Sequence, residues 1–470
     1  MARVCLLVVA LLVLIGSPNP AGAAQLTPRA GCALETVQRE WIQRALDSWH
    51  RISVGDLRLE EAPLPWMLLF DASCVWHLAP GDTVSVEAEP FDSGLTFDEG
   101  SGKRAVIVRA RRHDGILTLP DGKQIPAEPL ASAGVYRAGA ASYFAMALPD
   151  VWRRDPRHAS MPEPERFFHG VMTHELVHTR HLPQILGPID AGARRLPQTP
   201  AQIDDDVIQT RFHEVPGFAD AVAAETALFY EAVAAIEVKT RRALVARALV
   251  KVRERHARFF VGADLPFADL EDLFLAMEGA GQWAAYRATK ARAGSNTTDA
   301  EAIEFVRDHK YWSQEQGLAL FLLLDAMIPD WPARVLGAEA ATPLALLREA
   351  LVPDAVVREL IAAFNAHNVA QMLRLCTPDI RWMSVASERL TVETLGTESL
   401  GKAMESYFRT VPSARSTLLS TVVSGNFVTA VEQATWHSGG QQRVQCSVSL
   451  YEVRGQKIQS VWYFPAHTCD

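Results

Sequence analysis

The pattern of hydrophobic and polar residues divides the chain into four stretches. In residues 25–51, apolar side chains recur every three or four positions, which predicts a helix with one face on a core. Residues 64–149 instead show short apolar runs between turn residues, which predicts a small sheet. Residues 164–351 have an almost wholly helical pattern, and residues 353–470 combine helical spacing with later strand-like alternation. This succession predicts an α+β protein with more than one domain.

Turn-forming residues indicate where the predicted helices and strands begin and end. The segments 188–206 and 294–299 interrupt the helical pattern with polar, Gly and Pro residues, and we interpret both as surface loops. The predicted strands are Trp66–Phe70, Arg104–Val108, Ile116–Leu119 and Tyr143–Leu148. The predicted domains are residues 25–350, made of an α+β part (25–155) and a helical part (156–350), and residues 353–470.

The N-terminus has the pattern of a secretory signal peptide. A basic residue precedes the apolar run Val4–Ile15, and the small residues Ala21–Ala24 follow it. We expect residues 1–24 to be removed by cleavage after Ala23 or Ala24. The apolar run is too short to span a bilayer, and no later run reaches the ~18 residues that a membrane helix needs. The sequence therefore predicts a secreted or periplasmic protein without a membrane span.

Composition narrows the function classes. The 470 residues include 46 Lys and Arg against 55 Asp and Glu, a net charge of −9, and no basic block stands out, so nucleic acid is not an expected partner. None of the six cysteines forms a C-x-x-C pattern, which gives no support for a redox motif or a cysteine zinc cluster. In an oxidising compartment Cys32 can pair with Cys74, and two of Cys376, Cys446 and Cys469 can pair with each other.

The most informative motif is His174-Glu175-Leu176-Val177-His178. On a helix, residues four apart lie about 40° and about 6 Å from one another, so both imidazoles can bind one zinc ion. Glu175 then faces the same cleft and can act as general base toward water. Two His and one carboxylate with an open fourth position form a catalytic zinc site, which activates water and polarises a carbonyl.

The motif does not identify the third ligand. His181 lies about 10 Å further along a straight helix than His174, which is too far for both to bind the same ion together with His178. A carboxylate on a later helix is the alternative. The candidates are Glu225, Glu231 and Glu278.

The motif and a later apolar helix that carries Glu-Gly-small resemble the gluzincin branch of zinc metallopeptidases, including the bacterial peptidase MA-like proteins. This resemblance implies a mostly helical zincin-like domain with a small N-terminal sheet. It also implies that His174, His178 and Glu278 bind Zn²⁺ and that Glu175 is the catalytic general base. Glu225 remains the second choice for the third ligand.

Supporting groups for such a site are also predicted. By the same resemblance, Gly279 and Gly281 allow close backbone packing against the active-site helix. Tyr286 or Tyr311 can donate a hydrogen bond to the oxyanion that forms during peptide hydrolysis. The strand Tyr143–Leu148 is a candidate sheet edge for binding an extended peptide.

The C-terminal pattern is similar to a second family. Its predicted elements are a helix at 354–368, an apolar segment at 380–382, a helix at 400–408, and strands at 427–436, 444–453 and 458–464. This order resembles the SnoaL-like, nuclear-transport-factor-2-like cone, in which a curved sheet wraps helices and leaves an apolar pocket. Such cones serve isomerase-type enzymes as well as non-catalytic binding or dimerisation modules, so the fold does not determine the function. The sequence assigns no catalytic base in this domain.

These patterns lead to one principal hypothesis and two alternatives. The principal hypothesis is an exported zinc-dependent hydrolase, a peptidase that acts on a peptide or protein substrate. The first alternative is a non-catalytic binding protein or pseudoenzyme, in which the cone binds a small apolar ligand or forms a homodimer. The second is an isomerase or cyclase reaction in the cone, which requires a pocket-facing carboxylate opposite a hydrogen-bond donor.

Overall fold

The computed structural model describes residues 31–59, 64–79, 88–98, 102–137, 141–156, 164–197, 204–291, 297–307, 309–386 and 389–469. The chain divides into two compact units. The first contains the described residues up to 235 together with 247–345, and the second contains 236–246 together with the chain from 346 onward. The predicted signal peptide, residues 1–24, lies outside the described residues. No described helix combines the length and the apolar character needed to cross a membrane.

The first unit opens with helix α1 (Thr36–His50), which continues into a π-helical turn at Arg51–Asp56. Reciprocal hydrogen bonds between Glu35 and Gln38 cap its first turn. Its buried residues are Trp41, Ile42, Ala45, Leu46 and Trp49. The predicted helix with one buried face is therefore confirmed from Thr36 onward. It is wrong for residues 31–35, which are described and are not helical, and residues 25–30 lie outside the described residues.

The predicted sheet follows α1. The strands are β1 (Trp66–Phe70), β2 (Cys74–Ala79), β3 (Pro90–Asp98), β4 (Lys103–Arg112), β5 (Ile116–Thr118), β6 (Gln124–Pro126), β7 (Ala131–Arg137) and β8 (Ala141–Ala147). Six of them form one sheet in the order β3-β4-β2-β1-β8-β7, and β5 pairs with β6 in a separate hairpin. β1 and β8 run parallel, and the other neighbours run antiparallel.

The position of β8 corrects one prediction. We predict Tyr143–Leu148 as a sheet edge, but β8 lies between β1 and β7. Tyr143 and the four residues after it are buried, as expected for an interior strand. The edge strand at this side of the sheet is β7.

Helices make up the rest of the first unit and begin the second. They are α2 (Pro149–Arg154), α3 (Pro164–Ala193), α4 (Val207–Phe212), α5 (Phe218–Ala234), α6 (Val238–Phe259), α7 (Phe267–Lys290), α8 (Asp299–Val306), α9 (Trp312–Met327), α10 (Trp331–Val335) and α11 (Pro343–Asn365). Buried residues of α3, α4, α5 and α7 share one core, in which the rings of Phe212, Phe218, Phe260 and Phe267 pack together.

The loop predicted at 188–206 is partly wrong, because α3 continues through Pro183 and Pro188. Pro183 lacks the N–H that would bond the carbonyl oxygen of Thr179. The Oγ of Ser142, on β8, donates a hydrogen bond of 2.6 Å to that oxygen instead. A side chain of the sheet thus compensates the proline, and the helix does not end there. Of the other predicted loop, 294–299, only the last residues are described, and α8 begins at its end.

The second unit is a mixed α+β body. After α11 come α12 (Val369–Arg374), β9 (Cys376–Ala386), β10 (Arg389–Leu395), α13 (Thr397–Thr410), β11 (Arg415–Ser424), β12 (Phe427–Ser438), β13 (Gln441–Arg454) and β14 (Lys457–Tyr463). The strands form one sheet in the order β10-β9-β14-β13-β12-β11. The predicted helices and the last three strands are present, and β10 and β11 are additional strands whose side chains are largely exposed.

The cysteine pairing matches the alternatives that the sequence left open. Cys32 is bonded to Cys74, and Cys446 is bonded to Cys469. Cys376 is free and buried. Each described unit therefore contains one disulfide.

Candidate metal centre

Two helices bring three metal-ligating side chains together. His174 and His178 lie on successive turns of α3, and Glu278 lies on α7. The Nε2 atoms of the two histidines are 2.9 Å apart. Glu278 places Oε2 3.4 Å from His174 Nε2 and Oε1 3.5 Å from His178 Nε2. Within the described part of the chain, these are the only three His, Cys, Asp or Glu side chains close enough to hold one ion.

These separations fit a tetrahedral zinc ion. Ligand atoms about 2.05 Å from a tetrahedral ion lie about 3.3 Å from one another, close to the three distances found here. The Oε1 atom of Glu278 is buried and has no hydrogen-bond partner among the described residues. A bound cation would satisfy this buried acceptor. The residues present therefore fit the predicted metal.

Close helix packing sets the geometry of this triad, which we define as His174, His178 and Glu278. A Cβ atom on Gly281 would lie 2.7 Å from the imidazole of His174, so α7 can approach α3 only because residue 281 is glycine. The prediction that Gly279 packs against the active-site helix α3 is wrong. A Cβ atom there would meet Phe321 and the backbone of Gly317, so Gly279 packs against α9 rather than against the active-site helix.

The electrostatics of two triad members, His178 and Glu278, favour the protonation states that bind metal. Burial lowers the pKa of His178 to about 3, and the neighbouring His174 acts in the same direction. Burial also acts to lower the pKa of His174, but the hydrogen bond and charge of Glu278 outweigh it and raise the pKa. Burial disfavours the charged form of Glu278, but the two histidines outweigh that effect and lower its pKa to about 2. Glu278 is therefore anionic and His178 neutral.

Glu175 lies buried beside the triad. Burial raises its pKa to about 7, with Glu278 adding to the effect and His174 opposing it. Its carboxylate accepts a hydrogen bond from the backbone N–H of Ala133, which belongs to the edge strand β7. This carboxylate is thus held where the edge of the sheet meets the triad, with an affinity for protons suited to a general base near neutral pH.

The other candidate ligands lie elsewhere. Both carboxylate oxygens of Glu225 bind the guanidinium of the buried Arg255 at 2.9–3.0 Å, and this arginine also binds Glu271. Glu225 therefore belongs to a buried ion cluster rather than to the triad. Glu231 is exposed. His181 is fully buried on α3, with burial lowering its pKa to about 4, and it is not part of the triad.

Sequence reasoning missed two residues that hold Glu278 in place. Gln314, on α9, donates from Nε2 to Glu278 Oε2 at 3.1 Å. Gln282, on α7, donates in turn to Gln314 Oε1 at 2.7 Å. Both glutamines are buried. For Gln282 the available signal was a polar side chain among apolar neighbours on α7, since buried amides need partners.

The two predicted oxyanion donors have other partners. Tyr286 donates to Asp299 at 2.7 Å, and burial raises its pKa above the ordinary tyrosine value. The hydroxyl of Tyr311 accepts a hydrogen bond from Lys310 at 2.5 Å. Neither hydrogen bond involves the triad, and the role of these tyrosines as oxyanion donors stays a prediction.

The second unit contains a buried carboxylate that the sequence did not reveal. Glu432, on β12, accepts hydrogen bonds from Ser416 at 3.0 Å and Tyr463 at 3.4 Å, and also from the hydroxyls of Ser449 and Tyr451. Burial raises the pKa of both tyrosines, and Glu432 adds to this effect, so both remain neutral donors. We call these five residues the Glu432 cluster.

Comparison with known proteins identifies the second unit. The sequence profile of the SnoaL-like domain family matches residues 357–461. Residues 357–461 form a SnoaL-like domain. No curated protein matches the chain.

Solved structures match about a quarter of the chain. One is a cystatin-fold protein from Novosphingobium aromaticivorans, with 19% identity and a TM-score of 0.22 over 24% of this chain and 97% of that one. Another is a protein with a ketosteroid isomerase-like fold from Catenulispora acidiphila, with 18% identity and a TM-score of 0.21. The match covers 23% of this chain and 84% of that one. A third is an NTF2-like protein from Cytophaga hutchinsonii, with 16% identity and a TM-score of 0.19. The match covers 24% of this chain and 87% of that one.

Proposed function

We propose that this protein is an exported zinc-dependent hydrolase that cleaves peptide bonds. The observation that carries the proposal is the buried triad of His174, His178 and Glu278, whose ligand atoms lie 2.9–3.5 Å apart next to the carboxylate of Glu175. Two imidazoles and one carboxylate leave one position of a tetrahedral zinc ion open.

The residues around the triad have distinct roles in this proposal. When bound, zinc supplies a Lewis acid that polarises a carbonyl and makes water more acidic. Glu175 accepts the proton of the attacking water and passes it to the leaving amine. Gln314 orients the carboxylate of Glu278 through their hydrogen bond. The hydrogen bond from Ala133 holds the carboxylate of Glu175 against β7.

A peptide or protein substrate is favoured by the position of β7. Edge strands present unpaired N–H and C=O groups that can bind an extended peptide. Since Ala133 of this strand bonds to Glu175, a peptide added along β7 would run beside the general base. This strand replaces Tyr143–Leu148 as the proposed substrate-binding edge.

Zinc content tests the proposal directly. We expect about one zinc per chain, measured by elemental analysis after reconstitution, in the wild type and in Glu231→Gln, which changes an exposed residue of α5. Glu278→Gln keeps the shape of the side chain but removes the anionic ligand, so we expect it to lose the metal. A wild-type protein that takes up no zinc would contradict the proposal.

Export rests on the N-terminal pattern and on disulfide chemistry. The disulfides Cys32–Cys74 and Cys446–Cys469 are typical of secreted or periplasmic proteins. Mass spectrometry of the protein recovered from its native host should find the mature N-terminus at Ala24 or Gln25. Recovery of residues 1–24 on the mature protein would contradict export by a cleaved signal peptide.

The Glu432 cluster supports a second candidate function for the SnoaL-like domain. A buried carboxylate beside two tyrosine hydroxyls is the pairing of base and donor that an isomerase or cyclase needs, and the domain alternatively binds a small apolar ligand without chemistry. Binding of a hydrophobic dye such as 1,8-ANS that is lost in Glu432→Gln would favour a ligand site at this cluster. Unchanged binding would place the ligand elsewhere.

A homodimer is proposed from exposed apolar residues of the same domain. Leu390 and Val392 on β10 are 57% and 52% exposed, an unusual exposure for aliphatic side chains two positions apart on one strand face. Sedimentation analysis of the wild type and Val392→Lys tests this. A dimer that the lysine dissociates would support an interface at β10, and a wild-type monomer would refute it.

A further inference from the structure

A small cavity beside the triad has no role in the chemistry proposed above. Its volume is about 20 Å³, enough for a group the size of one water molecule. Its lining includes Phe274, one turn before Glu278 on α7, and Ser313, the neighbour of Gln314 on α9. The cavity therefore adjoins the helices that position the third triad residue.

The lining of this cavity is acidic. It contains the carboxyl groups of Asp205, Asp206 and Glu271 and no Lys, Arg or His side chain. Glu271 is compensated, because it binds Arg255 at 2.8 Å and His256 at 2.6 Å. The negative charge of Asp205 attracts a cation and disfavours an anionic ligand.

Asp205 is the uncompensated member of this lining. It is 8% exposed, and among the described residues the only hydrogen bond to its carboxylate comes from its own backbone N–H. Buried carboxylates are ordinarily paired with a cation or with several donors. Burial, and after it the charge of Glu278, raises the pKa of Asp205 well above its ordinary value. The Oγ of Ser313, also in the lining, is buried and has no hydrogen-bond partner among the described residues.

We propose that Asp205 and this cavity bind a primary ammonium group of the substrate. An ammonium group has the size of one water molecule and three N–H donors, which suits the carboxylate of Asp205 and the hydroxyl of Ser313. A guanidinium group is planar and several atoms larger, so a cavity of about 20 Å³ favours an ammonium group over it. A second metal ion is disfavoured because only the triad, among the described residues, assembles three ligands within reach of one ion.

This inference rests on the proposed hydrolase function and narrows its substrate class. The cavity is lined by Phe274, which lies one helical turn before Glu278 on α7, so an ammonium held at Asp205 would lie beside the reacting centre. The substrate is then a peptide with a free amine near the bond that is cleaved. That amine is either the α-ammonium of the peptide N-terminus or the side chain of a lysine.

Binding to the metal-free protein tests the inference without hydrolysis. The protein is treated with EDTA and titrated by calorimetry with four probes: alanine N-methylamide, acetyl-lysine N-methylamide, acetyl-arginine N-methylamide and acetyl-norleucine N-methylamide. Asp205→Asn removes the charge at the cavity. Asp204→Asn is the matched control, because Asp204 does not line the cavity and asparagine can still accept the hydrogen bond from the N–H of Asp206.

We expect at least one ammonium probe to bind the wild type and Asp204→Asn at least tenfold more tightly than the arginine and norleucine probes. Binding should fall at least tenfold in Asp205→Asn. Preference for the alanine probe identifies an N-terminal amine, and preference for the lysine probe identifies a lysine side chain. Equal binding of ammonium and neutral probes by the wild type would overturn the inference, even if Asp205→Asn failed to fold.

The two proposals fail separately. Binding of the ammonium probes by a protein that takes up no zinc would support the cavity assignment and contradict the hydrolase proposal. Suppose instead that the zinc-loaded protein cleaves acetylated, lysine-free peptides as fast as peptides with a free amine. That result would support the hydrolase proposal and contradict the cavity assignment.

Discussion

Glu175 is the side chain on which the proposed chemistry depends most. Glu175→Gln keeps an acceptor for the N–H of Ala133 but removes the ability to take a proton from water. We expect hydrolysis of a peptide substrate to fall 10²–10⁴-fold, the usual contribution of a general base. Zinc content should stay near that of the wild type, because Glu175 does not belong to the triad. Hydrolysis that persists with full zinc occupancy would show that Glu175 is not the base.

Gly281 is the residue at which a single methyl group would disturb the triad. A Cβ atom there would lie 2.7 Å from the ring of His174, so Gly281→Ala must displace the imidazole or the helix. We expect a loss of about 1–3 kcal/mol of unfolding free energy and weaker zinc binding, measured by competition with a chelator.

Gly187→Ala is the control for Gly281→Ala. Gly187 is a glycine of α3, and a Cβ atom there would meet nothing within 4 Å. Alanine should therefore leave zinc affinity unchanged. Equal effects of the two substitutions on zinc affinity would contradict the packing argument.

At the scale of elements, α3 depends on a hydrogen bond from the sheet. Ser142→Ala removes the donor to the carbonyl oxygen of Thr179, which Pro183 cannot bond. We expect a loss of about 1–2 kcal/mol in urea unfolding. Adding Pro183→Ala restores a backbone N–H at that position, so the double variant should recover most of the loss. Additive effects of the two substitutions would show that the serine does not act through this oxygen.

Local helical spacing predicted two members of the triad, whereas the choice of Glu278 as the third came only from the family resemblance. His174 and His178 are four residues apart, so local helical geometry alone brings them together. Glu225 and Glu278 are both buried carboxylates on apolar helices, and only tertiary contacts distinguish them. Glu225 meets Arg255 thirty residues later, a pairing that no local pattern indicates.

Strand order and loop burial were unpredictable for the same reason. The apolar run of β8 identifies a strand, but its place between β1 and β7 depends on pairing with β1, far away in the chain. Asp205 follows a stretch of turn residues, which favours an exposed loop, yet tertiary packing buries it. Periodicity thus predicted where elements lie, and packing decided which polar residues became buried.

At the scale of the whole molecule, buried neutral histidines make stability sensitive to acid. His77, on β2, is buried and accepts a hydrogen bond from Trp66 at 3.2 Å, which requires an unprotonated Nδ1. Burial, with Arg111 adding to it, lowers the pKa of His77 to about 3. The unfolded chain, whose histidines titrate near pH 6.5, binds protons first as the pH falls. The contribution of His77 to stability is therefore complete above pH 6.5 and is lost as the pH falls toward 3.

The size of this effect can be isolated with His77→Gln, which keeps an acceptor for Trp66 but does not titrate. Between pH 7.5 and 4.5, the wild type should lose about 3 kcal/mol more unfolding free energy than the variant. Urea unfolding in EDTA measures this difference in unfolding free energy without metal release from the triad. The transition to follow is the unfolding of the first unit, which contains His77. Because His178 and His181 also have lowered pKa values, the variant should still lose stability in acid. Equal losses in the two proteins would mean that His77 is protonated in the folded state.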